Sequence, residues 1–288
     1  MESHRLKRFP MALRYTKIAH TPILFHRLFG ISVGQFEVII EKVRPLWNAR
    51  VLDKYKRPGR HFKCELEDMV LMLLLYYRSY VTQLFVGYMF GLDDSRVCRI
   101  IQVLEPILAS VMAISKRKKR SKEDVENLLI DATEQSIERP KKRQKPYFSG
   151  KKKRHTLKTE IRTTLQGRIV HVSKSHPGSV HDFTIFKQEP APPKDCRTFV
   201  DSGYQGIDTY HKAAEFPYKS SKNKPLDAEE KTYNQALSRI RVKVEHIIGD
   251  LKTFKILSHR YRNKRKRYAV KFMIIAGIVN LKNGFVSP

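Results

Sequence analysis

Apolar residues in this 288-residue chain recur with two different periods, and the change between them restricts the fold more than any other feature. Up to about residue 115 they fall every three to four positions, as on a buried helix face; beyond residue 121 they form a run and then alternate, as in strands. The two periods cannot be exchanged without turning apolar side chains to water. An all-α part is therefore expected before a mixed α/β part. The boundary is placed at residues 115–121, where "KRKKR" (116–120) supplies a hinge-like basic run.

In the first part, "CELEDMVLMLLLYYRSY" reads as one buried helix that starts among acids, which suit the positive end of the helix dipole. "TQLFVGYMF", "GLDD" and "SRVCRIIQVLEPIL" follow. Gly91 suits the turn after a helix, Asp94 or Ser95 can cap the next one, and Val97, Ile100, Ile101 and Leu104 form its inner face. This is the outline of a helix-turn-helix over residues 61–115. Ser95, Arg96, Arg99 and Gln102 then lie on the outer face near the helix N-terminus, where such a helix presents side chains to a major groove. A helical hairpin with solvated arginines shares the same pattern. Residues 1–60 are basic and aromatic, are expected to be helical, and carry no motif.

In the second part, "VENLLID" reads as a buried strand ending on Asp131, "HTLKTEIRTTL" as an alternating strand, and "RIVHVS" as its return after a "QG" turn. "SVHDFTIFKQ" follows as a helix capped by Ser179, "RTFVD" as a strand ending on Asp201, and "PYKSS" as a candidate fifth strand. A long helix is expected from about Ala228 to Phe254. Early antiparallel pairs should give way to parallel strands, as in α/β sheets where ligands gather at strand carboxyl ends. Two carboxylates there repel each other and call for a cation, a proton or an arginine. On the late helix Arg241, Glu245 and Lys252 fall within about 40° of one another, beside an apolar stripe of Ile240, Val244, Ile247 and Leu251. The glutamate can point along the sheet towards the two aspartates; a solvent-facing Arg241–Glu245 pair is the plainer alternative.

Charge narrows the partner. Lys and Arg number 57 against 28 Asp and Glu, a net charge of +29, so compact folding is opposed by self-repulsion unless a polyanion relieves it. Nucleic acid is the expected partner. The charge collects in "KRKKR", "KKRQK" (141–145), "KKKR" (Lys151, Lys152, Lys153 and Arg154) and "RNKRKR" (262–267). Any one run reads equally well as a solvated linker; four favour phosphate contact. The longest apolar stretch, "AVKFMIIAGIVN", is too short to span a bilayer, and no secretory signal opens the chain, so no membrane association is expected. Cys64, Cys98 and Cys196 lack zinc-type spacing and are expected as reduced thiols inside a cell. His155, His176, His181 and His246 fit no common zinc spacing either.

The motifs "LLIDATE", "YFSGKKKRHTLKTEI", "HPGSVHDFTIF", "FVDSGYQGI", "YNQALSRIRVKVEHIIGDLK" and "VNLKNGF" occur in one order between about Phe62 and Phe285. In this the chain resembles the DDE transposases of the bacterial insertion-sequence group related to the PIF/Harbinger elements. The resemblance implies a ribonuclease-H-like catalytic domain over residues 122–288, with Asp131, Asp201 and Glu245 as catalytic residues and metal ligands. The related signature Tyr-x-x-Arg-x-x-x-Glu-x-x-x-x-x-x-Lys matches at Arg241, Glu245 and Lys252, with Ser238 in the tyrosine position. Two Mg²⁺ ions, for which Mn²⁺ can substitute, suit three carboxylates and a phosphodiester. Arg241 and Lys252 are expected as phosphate clamps; Asp182 matches a family position too and is read as structural or supporting, since an acid at a helix start has an ordinary capping explanation. The implied activity is a transposase that binds terminal inverted repeats, cuts them, and joins 3′-hydroxyl ends to target DNA, working as a dimer. Its expected place is the cytoplasm, on the nucleoid, in a bacterium, or the nucleus in a eukaryote. The alternatives are a DNA-binding regulator derived from a transposase and a structure-specific nuclease.

Overall fold

The computed structural model describes residues 13–53, 62–112, 114, 126–221 and 225–285. The expected boundary at 115–121, with its basic run, lies outside the described residues. The chain divides into two compact units, Met1–Val111 with Thr253–Ile256, and Met112–Lys252 with Leu257–Pro288.

The first unit is helical: α1 (Tyr15–Ile18), α2 (Pro22–Phe29), α3 (Val33–Trp47), α4 (Leu66–Ser79), α5 (Gln83–Phe90) and α6 (Asp94–Val111). A capping box starts α3, in which the Ser32 hydroxyl accepts from the Gln35 N–H and the Gln35 side chain accepts from the Ser32 N–H. The helix α4 is buried on nearly all sides, as its continuous apolar run requires. Its one buried acid, Asp68, accepts from Arg14 Nη1 and the Tyr15 N–H, both at 2.8 Å. So α1 and α4 are tied together by a segment that sequence alone left without a role.

The helix-turn-helix takes the expected form. Gly91 closes α5 in the left-handed conformation, φ 70°. Val97, Ile100, Ile101 and Leu104 are all buried. The cap differs by one residue: Asp93, not Asp94 or Ser95, accepts from the Arg96 N–H at 2.8 Å, because the acceptor must sit three residues before the donor it serves.

The second unit holds a mixed sheet. Its elements are β1 (Asn127–Ser136), β2 (Phe148–Ser149), β3 (Arg154–Thr164), β4 (Ile169–Val172), β5 (His176–Pro177), α7 (Asp182–Gln188), β6 (Arg197–Phe199), β7 (Ala214–Glu215), α8 (Ala228–Lys252) and α9 (Tyr268–Lys282). The order is β2-β3-β1-β6-β7, with β4 and β5 also on β3. Pairing is antiparallel from β2 to β1 and parallel from β1 to β7. This is the ribonuclease-H-like arrangement expected, a mixed α/β unit that follows an all-α one along the chain.

Four local expectations need correction. β1 does not end on Asp131; it runs on to Ser136 because β3 supplies backbone partners as far as Thr156. β6 stops at Phe199, and Asp201 caps a 3₁₀ turn, Ser202–Tyr204. Ser179 does not cap α7, whose first residue is Asp182 and whose N-cap position is His181. The strand after the Gly-rich turn is Ala214–Glu215, not "PYKSS". In addition β3 is buried on both faces: Glu160 and Arg162 stay inside because they pair with each other at 2.8 Å, and Arg162 stacks over Phe186. Burial pushes the Glu160 carboxyl up to about 7, with Arg162 opposing.

Candidate active site

Strand alternation delivers the first acid. Ile130 packs with Phe186, Val200, Tyr204 and Ile207, so Asp131 turns to the opposite face. There Arg241 Nη2 of α8 stands 4.0 Å from Asp131 Oδ2. The parallel register then brings the second acid. Leu129 lies opposite Phe199 at the end of β6, and Asp201, two residues further on, lines the same cavity as Asp131, close enough to act on its carboxyl. The turn holds Asp201 in place, since its Oδ1 accepts from the Gly203 N–H at 2.8 Å.

A third acid enters from α7. Asp182 Oδ1 accepts from Lys158 Nζ at 3.0 Å, and the same ammonium donates to the Val180 carbonyl at 2.9 Å. A Cβ placed on Gly203 would lie 3.0 Å from both Asp182 Oδ2 and Asp201 Oδ1, so the two oxygens converge where only glycine leaves room. From α8, Glu245 and Lys252 reach the same cavity, of about 360 Å³. Lys151 and Lys152 border it from the β2–β3 turn; Lys153 and Arg154 do not line it and are exposed.

Electrostatics follow from this crowding. Burial, then the carboxylate of Asp201, push the Asp131 carboxyl up to about 6, while Arg241 and the Ala132 N–H pull it down. Burial and the neighbouring Lys152 lower the Lys252 ammonium below its ordinary value, opposed by Asp131 and Glu134. The buried Tyr204 hydroxyl is raised well above its ordinary value, by burial first and then by the surrounding acids.

The donor set suits a hard divalent cation. Every metal-binding side chain lining the cavity is a carboxylate, with no cysteine or histidine among them. Among the described residues no three such groups form a ready-made ion cage; Arg241 and Lys158 stand in as counter-charges. Arg241 Nε is buried and makes no hydrogen bond, while the guanidinium as a whole lines the cavity.

The residues expected to read DNA lie on α6. Ser95, Arg99 and Gln102 are exposed and Arg96 is half-buried. Arg96 Nε pairs with Asp93 at 3.1 Å, and Gln102 Nε2 donates to Cys98 Sγ at 3.2 Å. Sequence reasoning gave Asp182 only a supporting place and missed Lys158 and Glu134 at the cavity. The signal for Asp182 was its motif, "HPGSVHD"; nothing local marks Lys158, whose role depends on strand pairing.

Comparison with known proteins agrees with this geometry. Residues 130–280 match the family model of the DDE superfamily endonuclease, and residues 63–114 that of the helix-turn-helix of DDE superfamily endonuclease. The chain is 39% identical over 268 residues to the probable transposase for insertion sequence element IS702 of Microchaete diplosiphon, covering 89% of this chain and 93% of that one. It is 26% identical over 236 residues to the putative transposase for insertion sequence element IS112 of Streptomyces albus G, covering 79% and 83%. No solved structure matches.

Proposed function

Given that the chain belongs to the DDE superfamily endonucleases of insertion-sequence transposases, we propose that it binds the terminal inverted repeats of its element, cuts the element ends, and joins the freed 3′-hydroxyls to target DNA. The observation that carries this reading is the meeting of Asp131, Asp201 and Glu245 in one cavity rimmed by Arg241, Lys252 and two further lysines. Two Mg²⁺ ions, or Mn²⁺ in their place, would supply Lewis-acid stabilisation of the attacking and leaving oxygens. Asp131, on β1, and Asp201, in the turn just past β6, would be the central ligands, and Glu245 would add a carboxylate from α8. Asp182 supports Asp201 across Gly203. Arg241 would hold a non-bridging phosphate oxygen through its guanidinium, and Lys252 adds a second positive charge. The working complex is a dimer, placed in the cytoplasm on the nucleoid if the host is bacterial.

The test is purified protein, Mg²⁺, and DNA from the flanks of its own gene. Nicks at the element ends together with joined products are expected. Binding without cleavage would make the chain a regulator that kept only the fold, and cleavage without joining would make it a structure-specific nuclease.

Reading of the repeat is assigned to α6. Replacing Arg96 or Arg99 with Ala should weaken binding to the cognate repeat by about 1–3 kcal/mol, with far less effect on random duplex. Competition binding on the two duplexes measures this; equal losses on both would mean that these arginines hold phosphate only.

A further inference from the structure

The basic runs are far apart in sequence, but the second unit brings three of them together. β1 leads directly into the first. Just past its end, Ile137 forms a parallel bridge with Tyr261, the residue that precedes "RNKRKR". The Tyr261 N–H donates to the Ser136 carbonyl at 2.8 Å, and Gln135 Nε2 donates to the His259 carbonyl at 2.7 Å. Tyr261 is itself buried edge-on against Tyr268 of α9, so the run that follows starts from a fixed point.

Side chains add two cross-links. The Arg265 guanidinium lies 4.3 Å from the centre of the Tyr147 ring, next to "KKRQK". Arg260 Nη2 stands 4.0 Å from Glu138 Oε1. Immediately after Tyr147 comes β2, whose pairing with β3 folds "KKKR" back as a hairpin turn. Its first two lysines border the acid cavity.

Residues 138–154 and 258–267 thus carry nine and six basic side chains against a single acid, Glu138. Most of these are exposed. Like charges held this close repel, and a polyanion laid across them relieves that repulsion.

We propose that the three runs form one composite phosphate-binding face that takes duplex DNA without regard to sequence, beside the carboxylate cavity. The runs sit on loops, a 3₁₀ turn (Arg265–Arg267) and a hairpin, so the face has no long helix of its own to enter a major groove. Flexible lysine and arginine side chains reach phosphates, which give position and no base information. A face of this kind suits the second duplex that a joining reaction needs. This last step rests on the function proposed above; the binding itself does not.

The experiment measures binding of the full chain, without divalent metal, to random duplex DNA of about two helical turns (~20 base pairs) across a salt series. It compares the parent with Lys141→Gln/Lys142→Gln, with Lys264→Gln/Lys266→Gln, and with all four changes together. For every phosphate that a variant no longer neutralises, the slope of log K against log salt should flatten by roughly 0.9. Both pairs should flatten it on the same short duplex, the fourfold variant most, with unchanged melting curves. Slopes equal to the parent's would overturn the proposal, as would a change for only one pair, since the face would then not be composite. Equal flattening on single strands with no preference for duplex would overturn the assignment to duplex DNA. Failure of the parent to cut its own element ends, with the slopes changed as expected, would leave this face standing and remove the function proposed above.

Discussion

Replacing Asp131 with Asn is expected to abolish strand cleavage while leaving the fold as stable as the parent's or more so. Asp131 is 18% exposed at its side chain and has Asp201 for a neighbour, so its charge is held at a cost. Its carboxyl titrates near 6 in the folded chain against an ordinary 3.8. The folded state therefore binds more protons than the unfolded state between those values, and stability falls as pH rises from about 4 to about 6. Above that window the penalty is fully present, at roughly 1–3 kcal/mol for a shift of this size. Asn removes the charge and the penalty together. The gain should show at pH 7–8 and vanish below about pH 4, and the lost attraction to Arg241 holds it towards the lower end of that range. Cleavage should fall by more than about a hundredfold, the loss that even outer partners of a metal site can cause. Melting curves with and without Mg²⁺, paired with a cleavage assay on the same preparation, measure both effects. Undiminished cleavage by folded variant would remove Asp131 from the site; lower stability at pH 8 would mark it as a structural acid.

Gly178→Ala should disable the same site by a steric route. An added Cβ would lie 1.8 Å from Thr156 Oγ1 and 3.1 Å from the Thr156 carbonyl. That hydroxyl donates to Glu134, and the carbonyl accepts from the Gly178 N–H at 3.0 Å. Thr156 is buried and paired with Ser136 in the ladder, so neither partner can yield cheaply. The expected cost is about 2–4 kcal/mol, which in a chain of this size lowers the melting temperature by roughly 5–10 °C. The segment that moves leads to Val180 and Asp182, both held by Lys158, so cleavage should fall in whatever protein stays folded. Gly150→Ala is the control. Nothing lies within 4 Å of its added Cβ, and its effect should stay within about 0.5 kcal/mol. Equal melting shifts for the two variants would show that the close approach at Gly178 carries no weight.

Local pattern made the helical part readable, down to the buried face of Val97, Ile100, Ile101 and Leu104, because the helix period is a property of the backbone and acts over one or two turns. The same holds for the apolar core of β1 and for the shared face of Arg241, Glu245 and Lys252. Strand ends were less legible. The apolar run stops at Ile130, yet β1 continues through Thr133 and Gln135, both buried, because β3 goes on supplying hydrogen-bond partners that the run itself does not contain. Glu160 and Arg162 read as the polar side of an alternating strand; tertiary packing covers that side, and the two charges neutralise each other there. Family motifs pointed to Asp131, Asp201 and Glu245, but only tertiary structure brought Asp201 to the cavity of Asp131, through the parallel pairing of β1 with β6 and the turn that follows β6, which neither segment encodes alone. It likewise decided that Lys158 holds Asp182, that Gly178 must lack a side chain, and that Tyr261 bridges to Ile137 and so draws two distant basic runs together. Such contacts come from the packing of whole elements, and no local period records them.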